Sequence, residues 1–283
     1  MKRSLIALLA ALLSLGAVGC TKREPTRFER HTSQGMTSEE VTTAAGETEL
    51  LSPNDPRRMA AASKWDGNRQ LVNSTIQIFE FDGIGTEREP YLIKSAEDLA
   101  HLAANVCYGG DDESIVYKDR TRYLGKYFRL ECDIDLQGKP WYGIGNGATW
   151  DDDTMFQGIF DGNGHVIYNF ALADEPMNGL FCYIGQGAIL RNLTIHSGSV
   201  TLKSNEPVGL LVAGIRYGAT IDNCEVHVDL TTLSDVMPSV GMVGVIEGAD
   251  QRPEWAVTVT DCNSSGTTLN KEPYSLPLIA KNR

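Results

Sequence analysis

The sequence predicts an all-β solenoid, in which short strands stack as successive coils around one core. The chain has 283 residues, of which 28 are glycine. Short apolar runs recur through its second half, separated by glycine or asparagine, which adopt the positive φ of tight turns at little cost. The pattern repeats at intervals of 30 to 38 residues. A unit that cannot bury its apolar face alone is stabilised by stacking on its neighbours.

The first residues have the pattern of an export signal. Lys2 and Arg3 precede a run from Leu5 to Val18 that is almost entirely apolar. A positive start followed by a short apolar stretch is typical of a signal peptide, and this stretch is too short to span a bilayer. Residues 1–19 are therefore predicted to be a signal peptide.

The end of this signal resembles a bacterial lipobox, carried by Ala17-Val18-Gly19-Cys20. The resemblance implies that 1–19 is a lipoprotein signal peptide and that Cys20 becomes the lipidated first residue; the alternative is an ordinary secretory signal with a chance cysteine. Several acyl chains anchor a protein stably to a membrane. We therefore expect a lipid anchor at the outer membrane or cell surface. Residues 20–75 are rich in Ser, Thr, Gly and Glu, and we predict that they form a flexible tether.

The folded domain is predicted to occupy 76–283, beginning with an N-terminal segment and a helix. Ile76 to Phe81 alternates in the manner of a strand. Ser95 stands three residues before Asp98, a variant of the capping box. Apolar residues then follow at helical spacing, which predicts a short helix over 96–107. We expect this helix to cap one end of the solenoid.

The repeats define the coils. An apolar run led by glycine begins at Gly179, Gly209 and Gly241, at spacings of 30 and 32 residues. A second run contains the equivalent positions Leu190, Ile221 and Val259, at spacings of 31 and 38 residues. Residues 156–170 form an earlier, degenerate copy. The repeating unit is fixed, and the loops within it vary in length.

Stacking of the coils predicts columns of equivalent side chains. The alignment places polar residues in one column, as a side-chain ladder at a turn: Asn169, Asn192, Asn223 and Asp261. The adjacent column is predicted to be core: Phe170, Leu193, Cys224 and Cys262. We interpret the polar column as structural.

The repeats resemble the GLUG motif of bacterial surface proteins. The motif is carried by 209–214 and 241–244, each followed by a strand of the Thr-Ile-Asp-Asn-Cys type, and 83–165 resembles the segment that precedes such repeats. This chain departs from the pattern at Cys182, in the place of a glycine, and by an insertion around 252–255. The resemblance implies a right-handed parallel β-helix in an adhesin-like lipoprotein, and we predict about five coils.

Acidic residues raise the alternative of a carbohydrate-active enzyme, a polysaccharide lyase or glycosidase. Asp133 and Asp135 share one face of a strand, and glycoside hydrolysis needs two carboxylates. Asp161 and His165 are further candidates. We interpret the Asp133 and Asp135 side chains as outward-facing strand residues instead, and His165 as a surface or ladder residue.

The sequence predicts neither a cofactor nor a metal site, and no catalytic residue is assigned. Asp151-Asp152-Asp153 lacks the spacing of a calcium loop and is interpreted as a solvated acidic loop. No motif for a serine hydrolase, a zinc protease or a nucleotide site occurs. A net charge of −12 and a pI near 4.9 argue against nucleic acid as a partner.

Aromatic side chains in turn-rich segments favour recognition of a ligand. Trp150 and Trp255 are predicted to be exposed, and Trp141 is a third, weaker candidate. Flat rings stack on sugars and bury area at protein contacts. The predicted function is therefore a non-enzymatic module that recognises a surface glycan or a protein. A second alternative is a structural subunit of a surface assembly, with an uncovered apolar end near 274–279.

Five cysteines remain after Cys20. The alignment places Cys224 and Cys262 one coil apart, a separation that suits a disulfide. Stacked thiols within the core are an equally good interpretation.

Overall fold

The described part of the chain is mostly β-structure. A computed structural model describes the following residues: 39–42, 48–68, 79–107, 123–145, 154–173, 179–202, 208–232, 240–248, 252–267, 273–275 and 277–282. The signal peptide, Cys20, Trp150 and Asp151 to Asp153 lie outside these ranges.

The elements follow in chain order. The α-helices of the described ranges are α1 (Pro56–Ala61) and α2 (Ala96–Cys107). The first strands are β1 (Glu39–Thr42), β2 (Thr48–Leu51), β3 (Ser63–Lys64), β4 (Tyr91–Ile93), β5 (Tyr127–Leu130), β6 (Ile134–Asp135), β7 (Pro140–Trp141), β8 (Ile159–Asp161), β9 (Val166–Tyr168) and β10 (Ala171–Leu172). The later strands are β11 (Phe181–Gly185), β12 (Ala188–Leu202), β13 (Val208–Arg216), β14 (Ala219–Thr232), β15 (Val240–Glu247), β16 (Val257–Thr260), β17 (Asn263–Thr267), β18 (Pro273–Ser275) and β19 (Ile279–Asn282).

The strands form a parallel β-solenoid. One sheet has the order β11-β13-β15-β19, and all its pairs are parallel. In the other sheet β12 and β14 lie side by side, with β8 and β9 before them and β16 and β17 after them. The chain passes from one sheet to the other in each coil and completes about three turns. A parallel solenoid is thus confirmed, whereas the predicted count of five coils is not.

The register confirms the repeat alignment. Leu190 pairs with Ile221, and Ile221 pairs with Val259. In the degenerate copy, Phe160 pairs with Leu190. The side chains of Leu190, Ile221 and Phe160 are fully buried. The repeated apolar positions therefore form the shared core that the sequence predicts.

The repeated glycines allow neighbouring coils to approach closely. A Cβ on Gly179 would lie 2.6 Å from the carbonyl oxygen of Gly209 in the next coil. A Cβ on Gly241 would lie 2.8 Å from the carbonyl oxygen of Pro277. Real Cβ atoms do not come within 3.0 Å of such atoms. The motif glycines are therefore required by backbone contact between coils.

The structure confirms that Asn192 and Asn223 are neighbours in the polar column, whereas the prediction of Asn169 as its first member is wrong. Asn223 Nδ2 donates to Asn192 Oδ1 at 2.9 Å, and Asn192 Nδ2 donates to Asp161 Oδ1 at 2.9 Å. Asn169 lies elsewhere, because it follows Tyr168, which pairs with His196. The left-handed residue on the Asp161 coil is instead Asn163, with φ 54°.

The core column contains the same error of alignment. Leu193 pairs with Cys224, as predicted. The carbonyl oxygen of Phe170 accepts a hydrogen bond from the Ser199 amide, so Phe170 is stacked with a later part of the coil. Phe170 is buried in the core but does not belong to the Leu193 column.

Helix α2 forms where the sequence predicts it. The Asp98 amide donates to Ser95 Oγ at 3.0 Å, and the Lys94 amide donates to Asp98 Oδ2 at 2.9 Å, which satisfies two donors at the helix start. Leu99 and Leu102 are fully buried in the main core. The helix is confirmed, and its role as a cap stays a prediction.

The predicted tether is wrong in its second half, because residues 51–65 pack against the solenoid. We call this segment the strap. Leu51 and Trp65 are buried, and β3 pairs in parallel with β6. The Tyr168 hydroxyl donates to the carbonyl oxygen of Pro53 at 2.9 Å. The folded domain therefore begins well before residue 76.

Candidate functional site

A cluster of two rings and one guanidinium lies where β13 turns into β14. The ring centroids of Tyr217 and Trp255 are 4.7 Å apart with an interplanar angle of 65°. The Arg252 Cζ atom lies 4.9 Å from the centroid of the Trp255 ring. Both rings are half-buried, and Arg252 is exposed. We call these three residues the aromatic corner.

The backbone at Tyr217 adopts a conformation that tyrosine rarely takes. Tyr217 has φ 60° and Gly218 has φ 81°, which together make the tight turn between β13 and β14. The preceding coil makes the equivalent turn with Gln186 and Gly187 at φ 51° and 80°. A non-glycine residue in this region costs about 1 kcal/mol or more, and such strain clusters at functional positions. Tyr217 is therefore an unusual choice for a turn.

Trp255 is positioned by the insertion in the third repeat. Pro253–Trp255 forms a single 3-10 turn, in which the Trp255 amide donates to the carbonyl oxygen of Arg252 at 3.0 Å. The chain then enters β16, beside the first half of β14. The insertion that departs from the repeat pattern thus supplies one ring of the cluster. The sequence predicted Trp255 as a surface ring, but it did not predict the partner ring.

A partly buried ion pair lies next to the corner. Arg216, which directly precedes Tyr217, donates from Nε to Glu247 Oε2 at 2.5 Å. The Tyr183 hydroxyl donates to Glu247 Oε1 at 3.3 Å, and Arg216 Cζ lies 4.8 Å from the Tyr183 ring centroid. These three residues belong to β11, β13 and β15. The ion pair therefore fixes the strand end from which Tyr217 projects.

Trp141 is buried, so its prediction as a ligand-binding ring is wrong. Its side chain is 2% exposed and lies 5.2 Å from the Trp65 ring in an edge-to-face contact. Its Nε1 donates to the carbonyl oxygen of Leu180 at 3.1 Å. The strap supplies Trp65 and thereby covers this part of the core. Trp141 is consequently a core residue and has no face to offer a ligand.

The carboxylates proposed for catalysis are covered. Ile134 and Leu136 lie in the main core, as predicted, whereas Asp133 and Asp135 are only 2% and 8% exposed because other residues cover them. Arg58 of the strap donates from Nε to Asp133 Oδ2 at 2.6 Å and from Nη2 to Oδ1 at 3.0 Å. Asp135 accepts from Asn169 Nδ2 at 2.7 Å and from the Gln137 amide at 2.8 Å. Both carboxylates are therefore engaged in structural hydrogen bonds.

His165 takes part in the same buried network. Its Nδ1 lies 3.1 Å from Asp133 Oδ1, and the Val166 amide donates to that oxygen at 2.8 Å. Burial raises the pKa of Asp133, but the hydrogen bonds from His165, Arg58 and Val166 outweigh it and lower the pKa. A carboxylate held ionised beneath a strap is a poor general acid. The geometry thus favours a structural role for this group.

A second column of side chains lies on the outer surface of β12, β14 and β17. The rings of His196 and His227 are 5.6 Å apart between centroids, and His227 Nδ1 lies 2.5 Å from Ser265 Oγ. His227 Nε2 lies 3.2 Å from Glu225 Oε2. Burial lowers the pKa of His196, and the neighbouring His227 lowers it further, although Glu225 opposes this effect.

The lowered pKa values of two histidines predict how the free energy of unfolding depends on pH. Burial also lowers the pKa of His101. A histidine in the unfolded chain has a pKa near 6.5, so it takes up a proton at a pH where His101 and His196 of the folded chain are still neutral. The free energy of unfolding is therefore expected to fall as the pH drops below 6.5. Replacing His196 by Asn should make this dependence shallower in urea unfolding measured at several pH values. An unchanged dependence in this variant would contradict the assignment.

Two further observations concern the described residues alone. Within them, no three His, Cys, Asp or Glu side chains are grouped so that they could hold a metal ion. None of their helices has both the length and the apolar composition of a membrane span.

Comparison with known proteins gives distant, partial relatives. The chain is 32% identical over 157 residues to a protein of Evansella cellulosilytica named "Putative Gly-rich membrane protein", and the match covers 52% of the chain and 15% of that protein. It is 31% identical over 149 residues to halomucin of Haloquadratum walsbyi, which covers 49% of the chain and 1% of halomucin. The chain therefore matches only a small part of these much longer proteins.

The other comparisons give no relative. No protein-family model matches the chain. No solved structure matches it either.

Proposed function

We propose that the chain is a non-enzymatic recognition module and that the aromatic corner binds a glycan. The observation that carries this proposal is the pairing of Tyr217 with Trp255 at 4.7 Å on a strained turn and an insertion. The insertion that carries Trp255 departs from the repeat, whereas the turn at Tyr217 has a counterpart at Gln186 and Gly187 of the preceding coil, where no aromatic ring stands. Both rings directly flank strands of the solenoid, at the turn before β14 and just before β16, which keeps them preorganised for a ligand.

A glycan suits the chemistry of the corner better than the other ligands considered. Pyranose rings present apolar C–H faces, which pack on flat aromatic side chains, while a guanidinium donates hydrogen bonds to sugar oxygens. Trp255 and Tyr217 supply the rings, and Arg252 supplies the guanidinium. The enzyme alternative has less support, because the strap covers Asp133 and Asp135.

The proposal includes a location at the membrane. The signal pattern and the lipobox resemblance support a lipid anchor at Cys20 and exposure at the outer membrane or cell surface. The names of the two relatives refer to a membrane protein and to halomucin, which agrees with a surface role. The repeats support membership of the GLUG-motif surface lipoproteins, with right-handed coils and α2 as the cap.

The binding proposal is tested on a glycan array with the full chain and three variants. Trp255→Ala and Tyr217→Ala are expected to weaken binding at least about tenfold, because stacked rings at the centre of a site contribute about 1.4 kcal/mol or more each. Tyr127→Ala is the matched control, since Tyr127 is also half-buried but lies on β5. It should bind like the unchanged chain.

The same preparation distinguishes the alternatives. Loss of binding in all three variants would indicate a general defect and contradict the assignment to the corner. Depolymerisation of a polysaccharide would overturn the non-enzymatic proposal. An array without any bound glycan would favour a protein partner or the structural assembly, for which the 36% exposed side chain of Ile279 near the last coil is the relevant surface.

A further inference from the structure

Two cysteines are stacked in adjacent coils. Cys224 and Cys262 are both free thiols in the structure. The pairs Asp222 with Thr260 and Glu225 with Asn263 flank them, so the two cysteines occupy the same position of successive coils. The Cys224 amide donates to Cys262 Sγ at 3.4 Å. Neighbouring parallel strands lie about 4.8 Å apart, which is within the Cα separation of disulfides.

The two thiols have different surroundings. Cys224 is fully buried, whereas Cys262 is half-buried and lies beside the edge of the described sheet. Cys262 Sγ also lies 3.0 Å from the carbonyl oxygen of Thr260. A reagent can therefore reach Cys262 before it reaches Cys224.

The hydrogen bonds around the pair favour the same order. The hydrogen bond from the Cys224 thiol lowers the pKa of Cys262, and the Cys224 amide lowers it further, against burial and the carboxylates of Asp222 and Asp261. The hydrogen bond to Cys262 and complete burial raise the pKa of Cys224. The thiolate is the nucleophile in thiol chemistry, so the proton arrangement and the exposure agree.

We infer that Cys262 and Cys224 are a thiol–disulfide exchange pair, in which Cys262 is the attacking thiol and Cys224 the resolving thiol. The reaction partner is a low-molecular-weight disulfide such as glutathione disulfide. Cys262 loses its proton and attacks one sulfur of that disulfide, which releases one glutathione as a thiol. Cys224 then loses its proton and attacks the Cys262 sulfur, which releases the second glutathione. Two protein thiols become one disulfide, and one glutathione disulfide becomes two thiols.

The product would join the last coil to the coil before it. The bridge would tie β14 to the chain between β16 and β17, across a sequence separation of 38 residues. A covalent closure of this length restricts the unfolded chain and raises the midpoint of thermal unfolding by several degrees. The inference does not depend on the glycan proposal.

The experiment uses the purified, reduced full chain exposed to glutathione disulfide, followed by peptide mapping with mass spectrometry. The unchanged chain is expected to give a peptide linked through Cys224 and Cys262 and a raised melting temperature. Cys224→Ser should stop at a stable mixed disulfide of Cys262 with glutathione. Cys262→Ser should leave Cys224 unmodified, because Cys224 is buried. Cys132→Ser is the matched control and should form the linked peptide as the unchanged chain does.

Three outcomes would overturn the inference. Absence of the linked peptide from the oxidised, folded chain would do so. Modification of Cys224 ahead of Cys262 would reverse the proposed order. Should a variant fail to fold, pulsed alkylation of the unchanged chain decides the same point, since Cys262 must react at least about tenfold faster than Cys224. Equal rates would contradict the assignment of roles.

Discussion

Replacing Arg58 by Met is expected to lower the free energy of unfolding of the full chain by about 3 to 5 kcal/mol. The Arg58 and Asp133 side chains are 1% and 2% exposed, and Arg58 also donates to the carbonyl oxygen of Gly164 at 2.8 Å. Removing the guanidinium leaves the Asp133 carboxylate buried without its cation. Urea unfolding followed by circular dichroism measures the loss.

The neighbouring residue provides the control for this prediction. Arg57 pairs with Asp55 at 2.7 Å, but its side chain is 54% exposed, so Arg57→Met should leave the unfolding midpoint unchanged. The double variant Arg58→Met with Asp133→Asn removes both charges and should recover part of the loss. Equal stabilities of the Arg57 and Arg58 variants would contradict a structural role for the buried pair.

The pH dependence of the Arg58 variant follows from the lowered pKa of Asp133. A carboxylate with a lowered folded pKa stabilises the protein above its unfolded pKa, near 3.8, and this stabilisation is lost as the pH falls through the folded value. The difference in the free energy of unfolding between the unchanged chain and the Arg58→Met variant should therefore become smaller at acidic pH. A constant difference across the acid range would count against the proposed linkage.

Replacing Gly209 by Ala is expected to have an effect of similar size. A Cβ at this position would overlap the carbonyl oxygen of Val212 and the amide nitrogen of Gly244, and no rotamer relieves a clash with backbone. The backbone of β13 must deform and the neighbouring coil must move away, at a cost of about 3 kcal/mol or more. Thermal unfolding and the yield of folded chain measure the effect.

Gly138 provides the matched control for Gly209. Both are glycines, but a Cβ on Gly138 would meet nothing within 4 Å, and only its φ of 64° opposes the substitution. Gly138→Ala should cost about 1 to 2 kcal/mol. If Gly209→Ala melts at the temperature of Gly138→Ala, close contact with backbone atoms is not what requires glycine at 209.

The coils could be predicted from the sequence because their cause is local and repeated. Leu190, Ile221 and Val259 recur with the turns beside them, and the stacked register follows from their equivalence. Asn169 and Phe170 show the limit of this reasoning. They form an Asn-apolar pair like Asn192 and Leu193, but only the register places them at another turn.

The strap could not be predicted, since its decisive contact is between distant residues. Arg58 lies in a polar stretch that reads as solvated, and its partner Asp133 is 75 residues away. The aromatic corner likewise depends on a contact between residues that are distant in the sequence. Trp255 was predicted as a surface ring from its insertion, whereas its contact with Tyr217 depends on two coils being stacked. Neither contact follows from a periodic pattern.

The strap also determines where the fold would carry mechanical load. In a chain anchored at Cys20 and bound to a ligand at the far coils, tension would pass through the strap on its way to the coils. The strap is held by the two hydrogen bonds from Arg58 to Asp133 and by the two-residue pairing of β3 with β6, whereas β12 and β14 pair over a much longer stretch. The strap is therefore expected to detach before the coils unfold. Each released residue would add at most about 3.3 to 3.6 Å of length, which absorbs a pull while the coils that present the rings remain intact.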